Sequence, residues 1–404
     1  MREPDSHPKG HIMPSYNRAS LRFARGDGAW LTTTEGDTYL DFGSGVAVNT
    51  LGHSHPKLVQ AITDQAQKLW HVSNLYEIPE QEALADRLCE ASFADLVFFG
   101  NSGAEAAEGM IKTMRKYHAS HGHPEKVTLI GFAGSFHGRT LAALAAAGNQ
   151  AYLEGFGPAP TGFVQAPNFD IETLEALIDD TTAGILIEPI QGEGGVRDVG
   201  TDFLRALRAL CDKHNILLGL DEVQCGIGRT GKLFAHEWAG ITPDVMAIAK
   251  GIGGGFPLGA VLTTREVGAV MQPGTHGSTY GGNPLACRVG SAVLDTVLQD
   301  GFLAQVQDMA IYFRQHLARI IDENKDIFTD LRGAGLMVGL QCVVPNMDVV
   351  TALREAKLLS VGAGENTLRL LPPLNIEKTE LDTALAAIET ACEALRANQK
   401  GDAS

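Results

Sequence analysis

The sequence lacks long apolar runs and is poor in positive charge. Nowhere in its 404 residues does an apolar run approach the roughly 18 residues that a membrane-spanning helix requires. Lysine and arginine total 32 against 48 aspartates and glutamates, which gives a net charge of −16. A field of that sign repels phosphate backbones and anionic lipid, so we expect neither a nucleic acid nor a membrane as a partner. The hydrophobic fraction of 44% is that of a folded chain.

Cysteine is sparse and forms no CxxC pair. The six cysteines are Cys89, Cys211, Cys225, Cys287, Cys342 and Cys392. Their scattered spacing predicts reduced thiols, which are typical of the cytoplasm. The first residues, MREPDSHPKGHIMPSYN, contain no hydrophobic segment like that of a secretory signal. We therefore expect a cytoplasmic protein.

The histidine-rich stretches offer no metal-ligand pattern. HSH at 53–55 and HASHGH at 118–123 lie in hydrophilic contexts, and no cysteine or carboxylate stands at ligand spacing from them. We interpret these side chains as solvated histidines. The sequence therefore predicts no metal site.

Glycine is abundant, and it follows short apolar runs. The 46 glycines are about 11% of the chain, against roughly 7% on average. The runs that precede glycine-rich or polar loops are 96–99, 127–130, 185–187, 216–220 and 245–249. Short apolar strands interleaved with helices predict a mostly parallel, buried sheet with helices on both faces. Ligands of such α/β sheets bind beyond the carboxyl ends of the strands, so these loops are expected to meet at one edge.

The pattern of predicted helices and strands changes along the chain and predicts its division into domains. Two short strands around the Gly36-Asp37 turn predict a hairpin, and a helix is expected from Pro56. From about residue 290 longer amphipathic helices alternate with strands, and Thr379 with Asp382 forms a capping-box pattern at the last helix. We predict a mobile arm at 1–15, a segment at 16–55 that joins the small domain, a large domain at 56–289 and a small α+β domain at 290–404.

Lys250 is the first candidate for chemistry. It follows the apolar run AIA and precedes GIGGG. The side chain could simply point to water past the strand end. Alternatively, a desolvated lysine amine is nucleophilic and can form a Schiff base. The glycines after it would let a cofactor approach the backbone.

Two further loops carry groups suited to a ligand. Asp221 and Glu222 end the run NILLGL, and a buried carboxylate there needs a partner such as a salt-bridging residue or the pyridine nitrogen of pyridoxal phosphate. Asn101 to Ala104 lie between a strand and a helix. Their N–H groups and the Ser102 hydroxyl could bind an anion, or Ser102 could be an ordinary N-cap.

GIGRTG at 226–231 matches the GxGxxG pattern of dinucleotide sites, but its context is wrong. The stretch 232–242 before Pro243 is too short for a crossover helix with its loops. In a dinucleotide site, the acid that binds the ribose follows the next apolar run. Asp244 instead precedes that run, which spans 245–249. The sequence therefore argues against a nicotinamide-dependent dehydrogenase.

Six motifs in order carry a family resemblance. They are NSGAEA at 101–106, SFHGRT at 135–140, EPIQGEGG at 188–195, LDEVQCGIGRTG at 220–231, AKGIGGGFPLGA at 249–260 and GSTYGGNPLA at 277–286. The chain resembles the class III (ω-amino) aminotransferases of the fold-type I pyridoxal phosphate group over residues 14–395. Within that class, FHGRT, IQGEGG and THGSTYGGNP are most like the branch that acts on N2-acetylornithine.

The resemblance implies a role for each matching position. Lys250 would hold the cofactor covalently and move the substrate proton, and Asp221 would pair with the pyridine nitrogen. The implied cofactor-binding residues are Ser102, Gly103, Ala104, Phe136, Asp221, Glu222, Val223, Gln224, Lys250 and Thr279. The implied substrate-binding residues are Arg139, Glu193, Ser278 and Arg369. Thr279 would reach the cofactor of a second subunit, which implies a homodimer with shared active sites.

The resemblance also implies a reaction. The δ-amino group of N2-acetylornithine would pass to 2-oxoglutarate in two half-reactions, giving glutamate, with Glu193 neutralising Arg369 when a one-carboxylate substrate is bound. Ornithine, succinylornithine, succinyldiaminopimelate and 4-aminobutyrate remain alternative substrates, because the same catalytic set serves all of them. A catalytically silent cofactor-binding scaffold is the alternative from a different class.

Overall fold

A computed structural model describes residues 11–401 of the chain. Residues 1–10 of the predicted arm lie outside the described residues. Residues 11–15 are exposed and form neither helix nor strand. Within the described range, no helix is both long enough and apolar enough to cross a membrane.

Helices and strands alternate along the chain. The strands are β1 (Phe23–Asp27), β2 (Trp30–Thr33), β3 (Thr38–Asp41), β4 (Leu96–Gly100), β5 (Thr128–Phe132), β6 (Phe163–Ala166), β7 (Thr182–Ile187), β8 (Ile190–Gln191), β9 (Arg197–Asp198), β10 (Leu217–Asp221), β11 (Val245–Ile248), β12 (Gly259–Thr263), β13 (Phe328–Arg332), β14 (Val338–Cys342), β15 (Leu358–Leu359), β16 (Val361–Ala363) and β17 (Thr367–Leu370). The α helices are α1 (Ser44–Ala47), α2 (Pro56–Ala66), α3 (Pro79–Glu90), α4 (Gly103–Ser120), α5 (Leu141–Ala147), α6 (Gln150–Leu153), α7 (Ile171–Glu175), α8 (Thr201–His214), α9 (Arg265–Gly268), α10 (Pro284–Val297), α11 (Phe302–Glu323), α12 (Asn346–Glu355) and α13 (Lys378–Gly401). Short 3₁₀ helices span Ala235–Trp238 and Lys250–Gly253.

The central sheet has the strand order β4-β12-β11-β10-β7-β5-β6. The pairs from β11 to β6 are parallel, whereas β12 is antiparallel to both of its neighbours. Because β4 and β11 both oppose β12, they run in the same direction. The loops after β4, β5, β7, β10 and β11 therefore meet at one edge, and the predicted, mostly parallel sheet is confirmed.

The faces of the central sheet are covered by helices. In β11, Met246 and Ile248 belong to a core shared with α8, while Val245 and Ala247 belong to a core shared with α4. Successive strand residues point to opposite faces, so these two cores lie on opposite sides of the sheet. An apolar residue at every position of this strand follows from burial on both faces.

The C-terminal part of the chain builds a separate core. β13, β14, β17 and β16 form an antiparallel sheet, and the predicted hairpin of β2 and β3 is confirmed. β15 pairs in parallel with β3 and ties the hairpin to this part of the chain. One core joins residues 29–42 to 306–395, and another spans 51–297. We propose that these two cores correspond to the predicted small and large domains.

The start of the last helix differs from the predicted capping pair of Thr379 and Asp382. The helix begins at Lys378, and the Glu380 carboxylate accepts a hydrogen bond from the Glu377 N–H (2.9 Å). Asp382 instead accepts a hydrogen bond from the Tyr312 hydroxyl on α11. The predicted pair is therefore wrong, because the Asp382 side chain serves helix packing and a neighbouring acid serves the helix start.

The histidine stretches are not wholly solvated, so this interpretation is wrong for two side chains. His118 is buried, and its Nε2 lies 2.7 Å from the Ala183 carbonyl oxygen. His53 is paired with Asp41 at 2.8 Å. In the described part of the chain, no cluster of side chains suited to a metal ion is found.

Candidate active site

A cavity opens at the edge of the central sheet where the carboxyl ends of its parallel strands meet. Its lining consists of Gly103, Ala104, Phe136, His137, Gly138, Glu188, Asp221, Val223, Gln224 and Lys250. These residues come from the loops after β4, β5, β7, β10 and β11. The cavity has a volume of about 140 Å³. The structure thus brings seven of the predicted cofactor-binding positions together.

Lys250 stands just after β11, in a strained backbone conformation. Its φ of 46° lies in the left-handed region, which side chains other than glycine rarely adopt, and such strain is concentrated at functional sites. Burial of the amine, together with the charge of Arg369, lowers the pKa of Lys250 to about 8. Within the described residues its amine makes no hydrogen bond, so the neutral, nucleophilic form is accessible near neutral pH.

Asp221 is buried at the end of β10, and both of its carboxylate oxygens accept hydrogen bonds. Oδ2 accepts a hydrogen bond from His137 Nδ1 at 2.8 Å, and Oδ1 accepts one from the Val223 N–H at 3.0 Å. Burial disfavours the His137 cation, but the hydrogen bond and charge of Asp221 outweigh it and raise the pKa of His137. The ring's other nitrogen, Nε2, is buried and has no hydrogen-bond partner among the described residues. Asp221 is thereby held in a fixed orientation in the cavity wall.

Glu188 is a buried carboxyl group that the sequence reasoning did not assign to the site. Its two oxygens accept hydrogen bonds from the N–H groups of Phe136 (2.9 Å) and Gly192 (3.3 Å). Burial raises the pKa of Glu188 to about 7. The side chain ties the loop that carries Phe136 to the loop that carries Glu193.

The first residues of α4 form one end of the cavity. Gly103 and Ala104 are its first two residues, and N–H groups at that position have no acceptor within the helix. The Ser102 hydroxyl accepts a hydrogen bond from the Glu105 N–H (3.2 Å) and donates one to the Glu105 carboxylate (2.9 Å), which confirms the N-cap interpretation for that side chain. A Cβ on Gly103 would stand 2.7 Å from Val223 Cγ1, so only glycine permits this approach.

Arg369 enters from the C-terminal core, on β17, and is almost completely buried. Its Nη1 lies 2.7 Å from Glu193 Oε1 and donates to Gln224 Oε1 at 2.8 Å. Glu193 is about one-third exposed, with 32% of its side chain accessible, against 1% for Arg369. A buried cation is therefore paired with a carboxylate that is partly exposed to solvent.

Some predicted site residues lie away from the cavity. Glu222 is fully buried, but its carboxylate accepts hydrogen bonds from the Ala235 N–H, the His236 N–H and His236 Nδ1. Its side chain anchors the 3₁₀ helix, and the expectation that it contacts the cofactor is not supported by this geometry. Thr279 is exposed in the segment between α9 and α10, and it does not line the cavity.

Two other predicted residues lie near the site but outside its lining. Ser278 Oγ accepts a hydrogen bond from the Gly281 N–H (2.9 Å) and lies 3.5 Å from Asn101 Nδ2. The Arg139 guanidinium lies over the ring of Phe136, which belongs to the lining. Both predicted substrate residues therefore stand next to residues that adjoin or line the cavity.

Residues 12–392 match the sequence model of the class-III aminotransferases, and the chain belongs to that family. Acetylornithine aminotransferase from Mesorhizobium japonicum is 59% identical over 384 residues, covering 95% of this chain and 96% of that protein.

Solved structures show the same fold. N-acetylornithine aminotransferase from Stenotrophomonas maltophilia has a TM-score of 0.83 at 36% identity, covering 95% of this chain and 98% of that one. Ornithine aminotransferase from Toxoplasma gondii, described with pyridoxal phosphate at its active site, has a TM-score of 0.91 at 31% identity, covering 95% and 93% of the two chains. The predicted fold-type I architecture is confirmed.

Proposed function

We propose that this enzyme transfers the δ-amino group of N2-acetylornithine to 2-oxoglutarate, giving N-acetylglutamate 5-semialdehyde and glutamate, in arginine biosynthesis. The observation that carries the proposal is the Arg369–Glu193 pair at 2.7 Å. An amino donor with one carboxylate leaves Arg369 without a substrate partner, whereas glutamate supplies a second carboxylate. A movable acid beside a buried arginine suits a site that alternates between the two.

The cofactor of class-III aminotransferases is pyridoxal phosphate, and the residues of the cavity fit it. When bound, this group supplies an electron sink for the carbon that carries the amine. Lys250 would hold it covalently, Asp221 would pair with its pyridine nitrogen, and the N–H groups of Gly103 and Ala104 would hold its phosphate at the start of α4. Phe136 and Val223 provide apolar contacts for the ring.

The residues of this chain supply proton transfer, a carboxylate in the cavity and binding of the substrate carboxylates. Lys250 Nζ, whose pKa is lowered to about 8, can take the proton from the substrate carbon and return it. Asp221, oriented by His137 at 2.8 Å, presents its carboxylate at one end of the cavity. Arg139 and Arg369 bind substrate carboxylates through their planar N–H forks.

The reaction is tested by steady-state kinetics with purified protein. A two-stage transfer predicts parallel double-reciprocal lines when N-acetylornithine and 2-oxoglutarate are varied, with one glutamate formed for each semialdehyde. Intersecting lines, or consumption of N-acetylornithine without glutamate, would refute the proposed reaction.

Glu193→Gln should separate the two half-reactions. Glutamine cannot neutralise Arg369, so the half-reaction with N-acetylornithine should slow, by roughly tenfold for a lost charged hydrogen bond of about 1.5 kcal/mol. The half-reaction with glutamate should be unchanged or faster, because the glutamate carboxylate no longer competes with Glu193. Stopped-flow absorbance of the bound cofactor measures both rates, and equal rates in variant and parent would contradict the switch.

Arg139→Lys should not be a conservative change. Lysine keeps the charge but loses the fork that grips a carboxylate at two points. At about 1.5–3 kcal/mol for a charged hydrogen bond, kcat/KM should fall roughly ten- to a hundredfold. Arg319→Lys is the control, because Arg319 forms surface ion pairs with Glu323 and Glu389 and does not line the cavity. A similar small change in both variants would contradict the role of Arg139.

We further propose a homodimer with shared active sites, supported by one exposed apolar patch. The patch consists of Leu69, Trp70, Leu75, Tyr76 and Tyr280, and Leu75 is 86% exposed. Asn74 donates hydrogen bonds to the Ser278 and Gly281 carbonyl oxygens, which makes these two segments continuous and places Thr279 beside the patch. Exposed apolar surface of this kind marks protein interfaces.

The dimer should be visible by light scattering as twice the chain mass of 43.0 kDa. Leu75→Asp should yield monomers that lose most of their activity, because Thr279 could then reach no second subunit. Ile311→Asp is the control, since Ile311 is 56% exposed on α11, a helix that carries none of the patch residues. An active Leu75→Asp monomer would contradict shared sites.

We also propose the cytoplasm as the location of the enzyme. The six cysteines are free thiols, and five of them are buried. Unpaired cysteines of this kind are typical of reducing compartments.

A further inference from the structure

Arg139 is held by aromatic rings rather than by an acid. Its guanidinium carbon lies 4.0 Å from the ring centre of Tyr152 and 5.4 Å from that of Phe136. The two rings meet edge to face at 6.4 Å. Among the described residues, Arg139 forms no ion pair and no hydrogen bond. Its position is therefore set by contacts with ring faces.

This mode of fixation leaves the hydrogen-bonding capacity of the arginine unused. A guanidinium held against an aromatic face still presents all of its in-plane N–H donors, whereas one paired with an acid already uses some of them. Phe136 lines the cavity, so the exposed Arg139 lies next to the cavity lining. A substrate carboxylate would meet a cation that is already oriented.

Tyr152 comes from a segment that supplies none of the cavity lining. It lies on α6, whose start is capped by the Asn149 side-chain oxygen, which accepts a 3.0 Å hydrogen bond from the Ala151 N–H. The Tyr152 hydroxyl has no hydrogen-bond partner in the described part of the chain. The contact with Arg139 is thus made by the ring, not by the hydroxyl.

We propose that Tyr152 is a positioning residue for the substrate carboxylate, acting through Arg139. The inference rests on the proposed function, in which both substrates present one carboxylate to Arg139. Tyr152 should therefore affect both half-reactions to a similar extent, whereas Glu193 should affect chiefly one. The relevant property is the aromatic face, so phenylalanine should replace tyrosine.

The test compares Tyr152→Leu with Tyr152→Phe in the cofactor-loaded enzyme. Cation–π contacts contribute about 0.5–2 kcal/mol, which corresponds to roughly a two- to thirtyfold effect. Tyr152→Leu should lower kcat/KM by that factor for both N-acetylornithine and 2-oxoglutarate, through KM, while kcat and the cofactor absorbance stay unchanged. Tyr152→Phe should remain within about twofold of the parent.

A double-mutant cycle and a binding probe complete the test. Tyr152→Leu should have no further effect in an Arg139→Ala background, and it should weaken glutarate binding measured by calorimetry. If Arg139→Ala weakens glutarate binding but Tyr152→Leu does not, only this inference fails. Equal losses in the leucine and phenylalanine variants, or an undiminished leucine effect in the Arg139→Ala background, would also overturn it. If Arg139→Ala binds glutarate as the parent does, the carboxylate role of Arg139 fails and the inference falls with it.

Discussion

Lys250→Ala should abolish the yellow colour of the covalently held cofactor and nearly all turnover. The variant loses both the amine that attaches the cofactor and the group that moves the substrate proton. Proton transfer by a positioned side chain alone contributes up to roughly 10⁴-fold, so a decrease of that order or more is expected in kcat. Absorbance of the purified variant and a coupled glutamate assay measure the two effects.

Lys232→Ala is the matched control for this experiment. Lys232 is also partly buried, but its ammonium donates to the Glu237 carbonyl oxygen (3.0 Å) and lies over the Trp238 ring, outside the cavity. Its removal should leave colour and turnover intact, with a small loss of stability. A yellow, active Lys250→Ala protein would refute the assignment of the lysine.

Asp221→Asn should give the second-largest effect, with the cofactor still bound. The carboxylate is the charge that would stabilise a protonated pyridine nitrogen. At a separation of ~3 Å and an effective dielectric constant of ~20, such a pair contributes about 5 kcal/mol before desolvation. Each factor of ten in rate corresponds to about 1.4 kcal/mol, so kcat should fall by roughly 10²–10³-fold once desolvation is allowed for.

The Asp221→Asn substitution should also change the pKa of His137. The Asp221 hydrogen bond and charge raise the pKa of His137, so that pKa should fall in the variant, which NMR of the imidazole can follow. Asp244→Asn is the control, because Asp244 binds Arg208 and the Leu218 N–H on a neighbouring strand end, outside the cavity. Comparable losses of kcat in the two variants would contradict a special role for Asp221.

The position of the site could be predicted from the sequence because each part of the pattern is local. A short apolar run followed by glycine or a polar residue marks a buried strand and the loop beyond it. The direction shared by β4 and β11 then follows from the sheet, so Gly103, Asp221 and Lys250 meet at one edge. The antiparallel β12 was not predicted, since its five residues immediately follow a glycine-rich loop.

The residues that the sequence did not reveal depend on partners far along the chain. His137 and Asp221 are 84 positions apart, and Glu188 joins two separate loops. Glu222 follows Asp221 directly, yet its carboxylate turns to His236 because neighbouring residues past a strand end point in different directions. A motif can show that such residues belong together, but only the fold shows which groups they contact.

The most direct test of the proposed reaction is a single-turnover half-reaction. The cofactor-loaded enzyme is mixed separately with N-acetylornithine, N-succinylornithine, ornithine and 4-aminobutyrate, and the cofactor absorbance is followed as the amine is transferred. We predict that N-acetylornithine reacts about tenfold faster or more than each of the others, a preference within the reach of pocket contacts. Faster reaction with ornithine or 4-aminobutyrate, or no reaction with N-acetylornithine, would contradict the proposed function.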